Sequence, residues 1–122
     1  IEDSGVDILM GIGGAPEGVI AAVALKCLGG EIQGRLKPRN ENEIERAKKM
    51  GIKDIHKKLT MDGMVRNNEA MFAATGVTDG TILKGVGFLS DGAKTHSIVM
   101  RAKTKTIRFI EAHHKFEHFP DY

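Results

Sequence analysis

Between positions 11 and 18 the chain reads Gly11-Ile12-Gly13-Gly14-Ala15-Pro16-Glu17-Gly18, a glycine-rich turn with one carboxylate at its far end. Glycines let a backbone turn sharply and approach a ligand closely. If a helix starts here, its first N–H groups and the positive end of its dipole form an anion site, for which phosphate is the natural occupant. Glu17 complicates that reading. A carboxylate in the first turn is itself stabilised by about 0.3–1 kcal/mol, and it would repel a phosphate at the same terminus. A divalent cation held by Glu17 and bridging to phosphate oxygen removes the conflict, because hard cations prefer such oxygens. The segment therefore reads as half of a metal–phosphate site. A tight strand-to-helix turn with an ordinary dipole partner is the alternative reading of the same spacing.

Two familiar phosphate loops do not fit. The dinucleotide fingerprint places glycine where Pro16 stands, and Glu31, the acid at the right remove, falls at the start of the next strand instead of its end. The nucleoside-triphosphate loop needs a Lys-Ser or Lys-Thr pair that is missing here.

The elements that must position this turn are legible in outline. Asp7–Ile12 is short, apolar on both faces and closed by glycines, the pattern of an interior parallel strand. Pro16 suits the first turn of a helix running to Leu28, stopped by Gly29. Nearly all of that helix is apolar, so burial on more than one face is expected. Glu31–Leu36 reads as a second strand. Asn42 and Glu45 resemble a capping box opening an amphipathic helix, Asn42–Met50, with Lys48 and Lys49 in its last turn and Gly51 after it.

Ala70–Ala74 forms a third apolar run, followed by the loop Thr75–Gly80, either a structural turn or part of the sheet's ligand-binding edge. Val86–Leu89, the turn Ser90-Asp91-Gly92 and Thr95–Arg101 predict a β-hairpin. Arg101–Thr106 alternates, which puts Arg101, Lys103 and Lys105 on one face of an exposed or subunit-facing strand. His113–Tyr122 is expected to be a loose surface tail. The fold class expected is α/β: one domain, 1–122, with a layered sheet, crossover helices and a C-terminal β-hairpin.

Composition narrows the function classes. The chain has 122 residues, 41% apolar and 28% charged, as in globular proteins. A formal charge of +2 argues for neither nucleic acid nor an anionic membrane as partner. No apolar run approaches the roughly 18 residues of a membrane span. The first residues, beginning with Ile1, lack the pattern of a signal peptide and read as part of something longer. A lone cysteine, Cys27, fits a reducing compartment and core packing. His113, His114 and His118 lack zinc-ligand spacing.

At MGIGGAPEGV (10–19), CLGGEIQGRL (27–36), FAATGVTDG (72–80) with its following LKGV, and RAKTKTIRFIEAHH (101–114), the chain resembles class II fructose-1,6-bisphosphatases, a family of lithium-sensitive, metal-dependent phosphatases. The resemblance covers nearly the whole chain but only the C-terminal part of such an enzyme. It implies that Gly14 contacts substrate phosphate through its backbone and that Glu17 binds a catalytic divalent metal, manganese or magnesium. It also implies a cytoplasmic, homo-oligomeric enzyme of gluconeogenesis. That enzyme hydrolyses the 1-phosphate of fructose 1,6-bisphosphate and in some lineages also uses sedoheptulose 1,7-bisphosphate. The remaining metal ligands and the water-activating residue would lie upstream, so no catalytic residue is assigned within this chain and no turnover is expected from it alone. A non-catalytic phospho-ligand or nucleotide-binding α/β module is the competing reading.

Overall fold

A computed structural model describes residues 5–116. Helix α1, Ala15–Leu28, is followed by the short strand β1, Gln33–Gly34, and helix α2, Glu41–Lys49. Strand β2, Leu59–Thr60, runs directly into the one-turn helix α3, Met61–Met64. The remaining strands are β3, Met71–Thr75, β4, Gly87–Leu89, β5, Gly92–Arg101, and β6, Thr106–Lys115.

All strand pairings are antiparallel among the described residues. β1 pairs β2 alone, while β5 is the hub of the larger sheet. β6 pairs the whole length of β5, from Gly92↔Lys115 to Arg101↔Thr106. β3 and β4 therefore share the other edge, β3 against Ser97–Arg101 and β4 against Gly92–Lys94. The class is mixed α/β with closing β-strands, as expected. The parallel, crossover-connected sheet is not what forms: Asp7–Ile12 belongs to neither sheet, and its side chains lie exposed. Its pattern encodes a need for cover on both faces, and the described elements do not supply that cover.

Helix α1 joins the two parts of the core. Cys27, 1% exposed, packs with Val23 and Ala24 against Ile98, Met100 and Ala102 of the sheet side. Ala22 and Leu25 instead meet Met61, Met64 and Val65 around α3. The second half of α1 is thus buried on two faces, as its apolar pattern requires. The first half is not: Val19 and Ile20 are exposed. Both helix ends carry the expected punctuation. Gly29, at φ 83°, follows α1, and its N–H and that of Gly30 return to the carbonyls of Lys26 and Leu25. Gly51, at φ 90°, serves α2 in the same way.

Several boundaries differ from the expectation. The strand within Glu31–Leu36 shrinks to two residues because its only partner, β2, is equally short. The cap of α2 is Asn40, not Asn42: its side chain accepts from the Glu43 N–H at 3.0 Å. Glu43 then reaches back to Arg39, taking its backbone N–H at 2.8 Å. The strand expected through Arg101–Thr106 is broken by a turn at residues 102–105, where Ala102 is buried and Lys105 adopts φ 53°. A buried Ala102, whose N–H donates to the Ala70 carbonyl at 2.9 Å, pulls the chain inward and forces the reversal. The loose tail is corrected in part, since His113, His114 and Lys115 complete β6. Phe116 follows, its N–H donating to the Asp91 carbonyl at 3.0 Å, and His118 with the rest of residues 117–122 lies outside the described residues.

Candidate metal and phosphate site at the start of helix α1

Gly14 is the N-cap of α1, Ala15 and Pro16 occupy the first two helical positions, and Glu17 the third. The first intrahelical bond runs from the Gly18 N–H to the Gly14 carbonyl at 3.0 Å. Pro16 has no N–H to donate, which leaves the amides of Ala15 and Glu17 as the polar groups presented by the first turn.

Glu17 folds back over Gly14. A Cβ placed on Gly14 would collide with Oε2 of Glu17 and lie 3.0 Å from its carboxyl carbon. Gly14 itself has φ −66° and ψ 149°, ordinary extended geometry, so its conformation does not demand glycine. The space a side chain would take is held by the Glu17 carboxylate, the movable end of a flexible side chain. Gly11, Gly13 and Gly18 have open space where a side chain would stand.

The two residues singled out in sequence are therefore neighbours at one helix terminus. Glu17 suits a hard cation as one oxygen donor. Such an ion takes six or more ligands, and no group of three His, Cys, Asp or Glu able to hold a metal occurs among the described residues. A metal site that used Glu17 would need further donors beyond this carboxylate.

Other candidate residues take structural roles. His113 Nε2 lies 3.2 Å from Glu111 Oε1, while His114 Nε2 lies 2.9 Å from Thr95 Oγ1. As neighbours on a strand they face opposite sides of the sheet. Thr75–Gly80 spends its polar groups on itself and its surroundings. The Gly76 N–H donates to the His96 carbonyl at 3.0 Å, and Asp79 accepts the Gly85 N–H at 2.9 Å. Arg101 and Lys103, expected on an open basic face, both bind Glu69, at 3.1 and 2.6 Å. These two contacts hold the Glu69 carboxylate below its ordinary range, Lys103 contributing most.

A cleft of about 230 Å³ that the sequence did not signal lies at the opposite end of α1, lined by Lys26, Glu31, Asp62 and Lys105 among others. Lys26, with its side chain 9% exposed, donates from Nζ to Asp62 Oδ1 at 3.0 Å and to the Val65 carbonyl at 2.6 Å. Lys105 Nζ donates to the Lys26 carbonyl, holding the β5–β6 turn to the end of α1. Fourteen helical residues separate the two ends by about 20 Å, so this cleft is no part of the Gly14–Glu17 site.

The helix-terminal glycine and carboxylate sit in a chain whose residues 1–114 match the family model for bacterial fructose-1,6-bisphosphatase, glpX-encoded. The chain belongs to that family. It is 42% identical to the class 2 fructose-1,6-bisphosphatase of Haemophilus influenzae, over 93% of this chain and 38% of that protein. It is also 42% identical to a class 2 D-fructose 1,6-bisphosphatase/sedoheptulose 1,7-bisphosphatase of Acaryochloris marina, with 93% and 37% covered. A Synechococcus protein named for the same two activities is 40% identical, with 91% and 35% covered. The chain thus spans little more than a third of the length of the relatives it matches.

Proposed function

We propose that this chain is the part of a class II fructose-1,6-bisphosphatase that contributes Glu17 to the catalytic metal centre and the Gly14 backbone to the substrate's phosphate. The observation that carries the proposal is the Glu17 carboxylate folded over Gly14 at the start of α1, in a chain of this family. The complete enzyme hydrolyses fructose 1,6-bisphosphate: water adds to the 1-phosphorus, the ester P–O bond breaks, and fructose 6-phosphate and inorganic phosphate leave. A bound divalent cation, manganese or magnesium, supplies positive charge to the phosphoryl oxygens and lowers the pKa of water. Glu17 acts as a ligand with no proton-transfer role. The absence of a side chain at Gly14 lets phosphate reach the backbone, and the Ala15 and Glu17 amides face it with their partial positive charge. The enzyme works in the cytoplasm, in gluconeogenesis, as a homo-oligomer. No helix among the described residues is long and apolar enough to cross a membrane.

The chain alone turns nothing over on this reading, because one carboxylate cannot assemble a metal centre. Use of sedoheptulose 1,7-bisphosphate as well is the second reading, supported by the names of two relatives. The test is manganese titration and steady-state kinetics on a family-length enzyme carrying this segment. Glu17→Gln should weaken metal binding. Gly14→Val should raise KM for substrate more than it weakens metal binding. Metal affinity unchanged by Glu17→Gln would leave Glu17 as no more than a partner of the helix dipole.

A further inference from the structure

We infer that Arg35 and Lys58, facing each other across the β1–β2 ribbon, form a binding site for a small compound carrying one or two phosphate groups. The register of the ribbon sets Gln33 against Thr60 and Gly34 against Leu59. One step further along both strands it brings Arg35 opposite Lys58. Side chains alternate along each strand, and directly opposed residues project to the same face. Arg35 and Lys58 therefore share a face with Gln33 and Thr60. All four are exposed, whereas Gly34, Leu36 and Leu59 are half-buried. A depression of about 280 Å³ lies on this surface, lined by Gln33, Gly34, Arg35 and Lys58.

The charge at this place is uncompensated. Residues 35–58 hold nine of the chain's 18 Lys and Arg but only four of its 16 Asp and Glu. Of those four, Glu43 is engaged by Arg39. The side chains of Gln33, Arg35 and Lys58 make no hydrogen bond or ion pair among the described residues. Like charges directly opposed on two strands repel and weaken the pairing. β1 and β2 have two residues each and no other strand partner among the described residues, and so small a ribbon is marginal by itself. An anion held between the guanidinium and the ammonium turns the repulsion into attraction and ties β1 to β2. Phosphate suits the pair: the guanidinium fork engages two of its oxygens, the ammonium a third, and the Gln33 amide offers a further N–H. A volume equal to roughly nine waters of the liquid holds one or two phosphate groups but no length of nucleic-acid backbone. The lining also has no aromatic ring on which a base could stack. Thr60, opposite Gln33, lines the cleft at the far end of α1 with Gly29 and Gly30, which sets the ribbon apart from Glu17. The inference is therefore independent of the roles proposed for Gly14 and Glu17.

The test titrates a family-length enzyme carrying this segment with inorganic pyrophosphate and with inorganic phosphate, in EDTA so that no divalent cation contributes. Calorimetry gives the affinities and amide hydrogen exchange gives the place. Pyrophosphate should bind more tightly than phosphate, weaken as salt rises, and slow exchange at residues 33–35 and 58–60. Arg35→Gln and Lys58→Gln, both at exposed side chains, should each remove that protection and weaken binding about tenfold, the effect of one lost charge-assisted hydrogen bond. Lys48→Gln, on α2, removes the same charge from the same basic segment and should leave the affinity within about twofold. Glu17→Gln should leave the ribbon's response unchanged, which separates this site from phosphate held at the start of α1. Exchange at the ribbon that pyrophosphate leaves unaltered would overturn the inference. So would Lys48→Gln weakening binding as much as Arg35→Gln, since overall charge would then explain it. A DNA oligonucleotide that protects the ribbon at far lower concentration than pyrophosphate would overturn it too, assigning the surface to nucleic acid.

Discussion

Glu69 shows how single side chains acquire partners that a strand pattern hides. Alternation put Arg101 and Lys103 on one open face; the turn at residues 102–105 instead brings both onto Glu69, 32 and 34 residues away in sequence. Hydrogen bonds from Lys103 and then Arg101 favour the carboxylate and lower its pKa from the ordinary 4.5. A carboxylate with a depressed folded-state pKa stabilises the fold above its unfolded value and loses that contribution as pH falls through the folded one. Glu69→Gln should therefore lower the melting temperature slightly near neutrality and flatten its fall in acid. The effect should be small, because the pair is exposed and screened by salt. Melting curves from neutral pH to below 4.5 check both points. Lys26 is a stronger case because its side chain is only 9% exposed. Lys26→Met keeps the buried stem but orphans the Val65 carbonyl, which should cost about 1–3 kcal/mol. Asp62→Asn, at a side chain 86% exposed, should change stability by less than about 0.5 kcal/mol. Denaturant unfolding of the two variants separates them.

At the scale of elements, what the sequence disclosed and what it hid follow from where the information lies. The hairpin β4–β5 was legible because its turn residues and its alternation are local, and the register Leu89↔Gly92 places Ser90-Asp91 at the reversal. Gly29 and Gly51 announced their helix ends for the same reason. The cap of α2 was misplaced by two residues because both Asn40 and Asn42 have an acid three positions on, Glu43 and Glu45. Only the structure shows that Asn40 takes the amide and that Arg39 engages Glu43. Asn40→Ala should thus cost about 1 kcal/mol, while Asn42→Ala should stay within about 0.5 kcal/mol. Thermal unfolding and amide exchange in α2 read the difference. The break at residues 102–105 could not be read locally, since it depends on Ala102 packing beside Cys27, Ile98 and Met100. Met100→Ala, at a residue 3% exposed, should destabilise by about 2–5 kcal/mol.

For the whole molecule, the glycine-rich turn was the most informative stretch of sequence, and Gly14 and Glu17 stand together at the start of α1. Of its four glycines only Gly14 has a neighbour standing where a side chain would go, and that neighbour is the movable carboxylate of Glu17. The interior strand expected before it has the right composition for burial but no partner among the described elements, which fits a chain spanning 38% of a relative's length. Pattern records what a segment needs, and the partners that meet the need can lie in other parts of a protein. The most direct measurement is phosphate release from fructose 1,6-bisphosphate at limiting manganese by a family-length enzyme carrying this segment, with and without Glu17→Gln. Loss of groups that merely orient metal ligands costs about 10–100-fold, so loss of a ligand itself should cost roughly a hundredfold or more. The expected result is turnover in the unaltered enzyme and that loss in Glu17→Gln, with folding and substrate binding retained. Turnover by Glu17→Gln within a few-fold of the unaltered enzyme would contradict it.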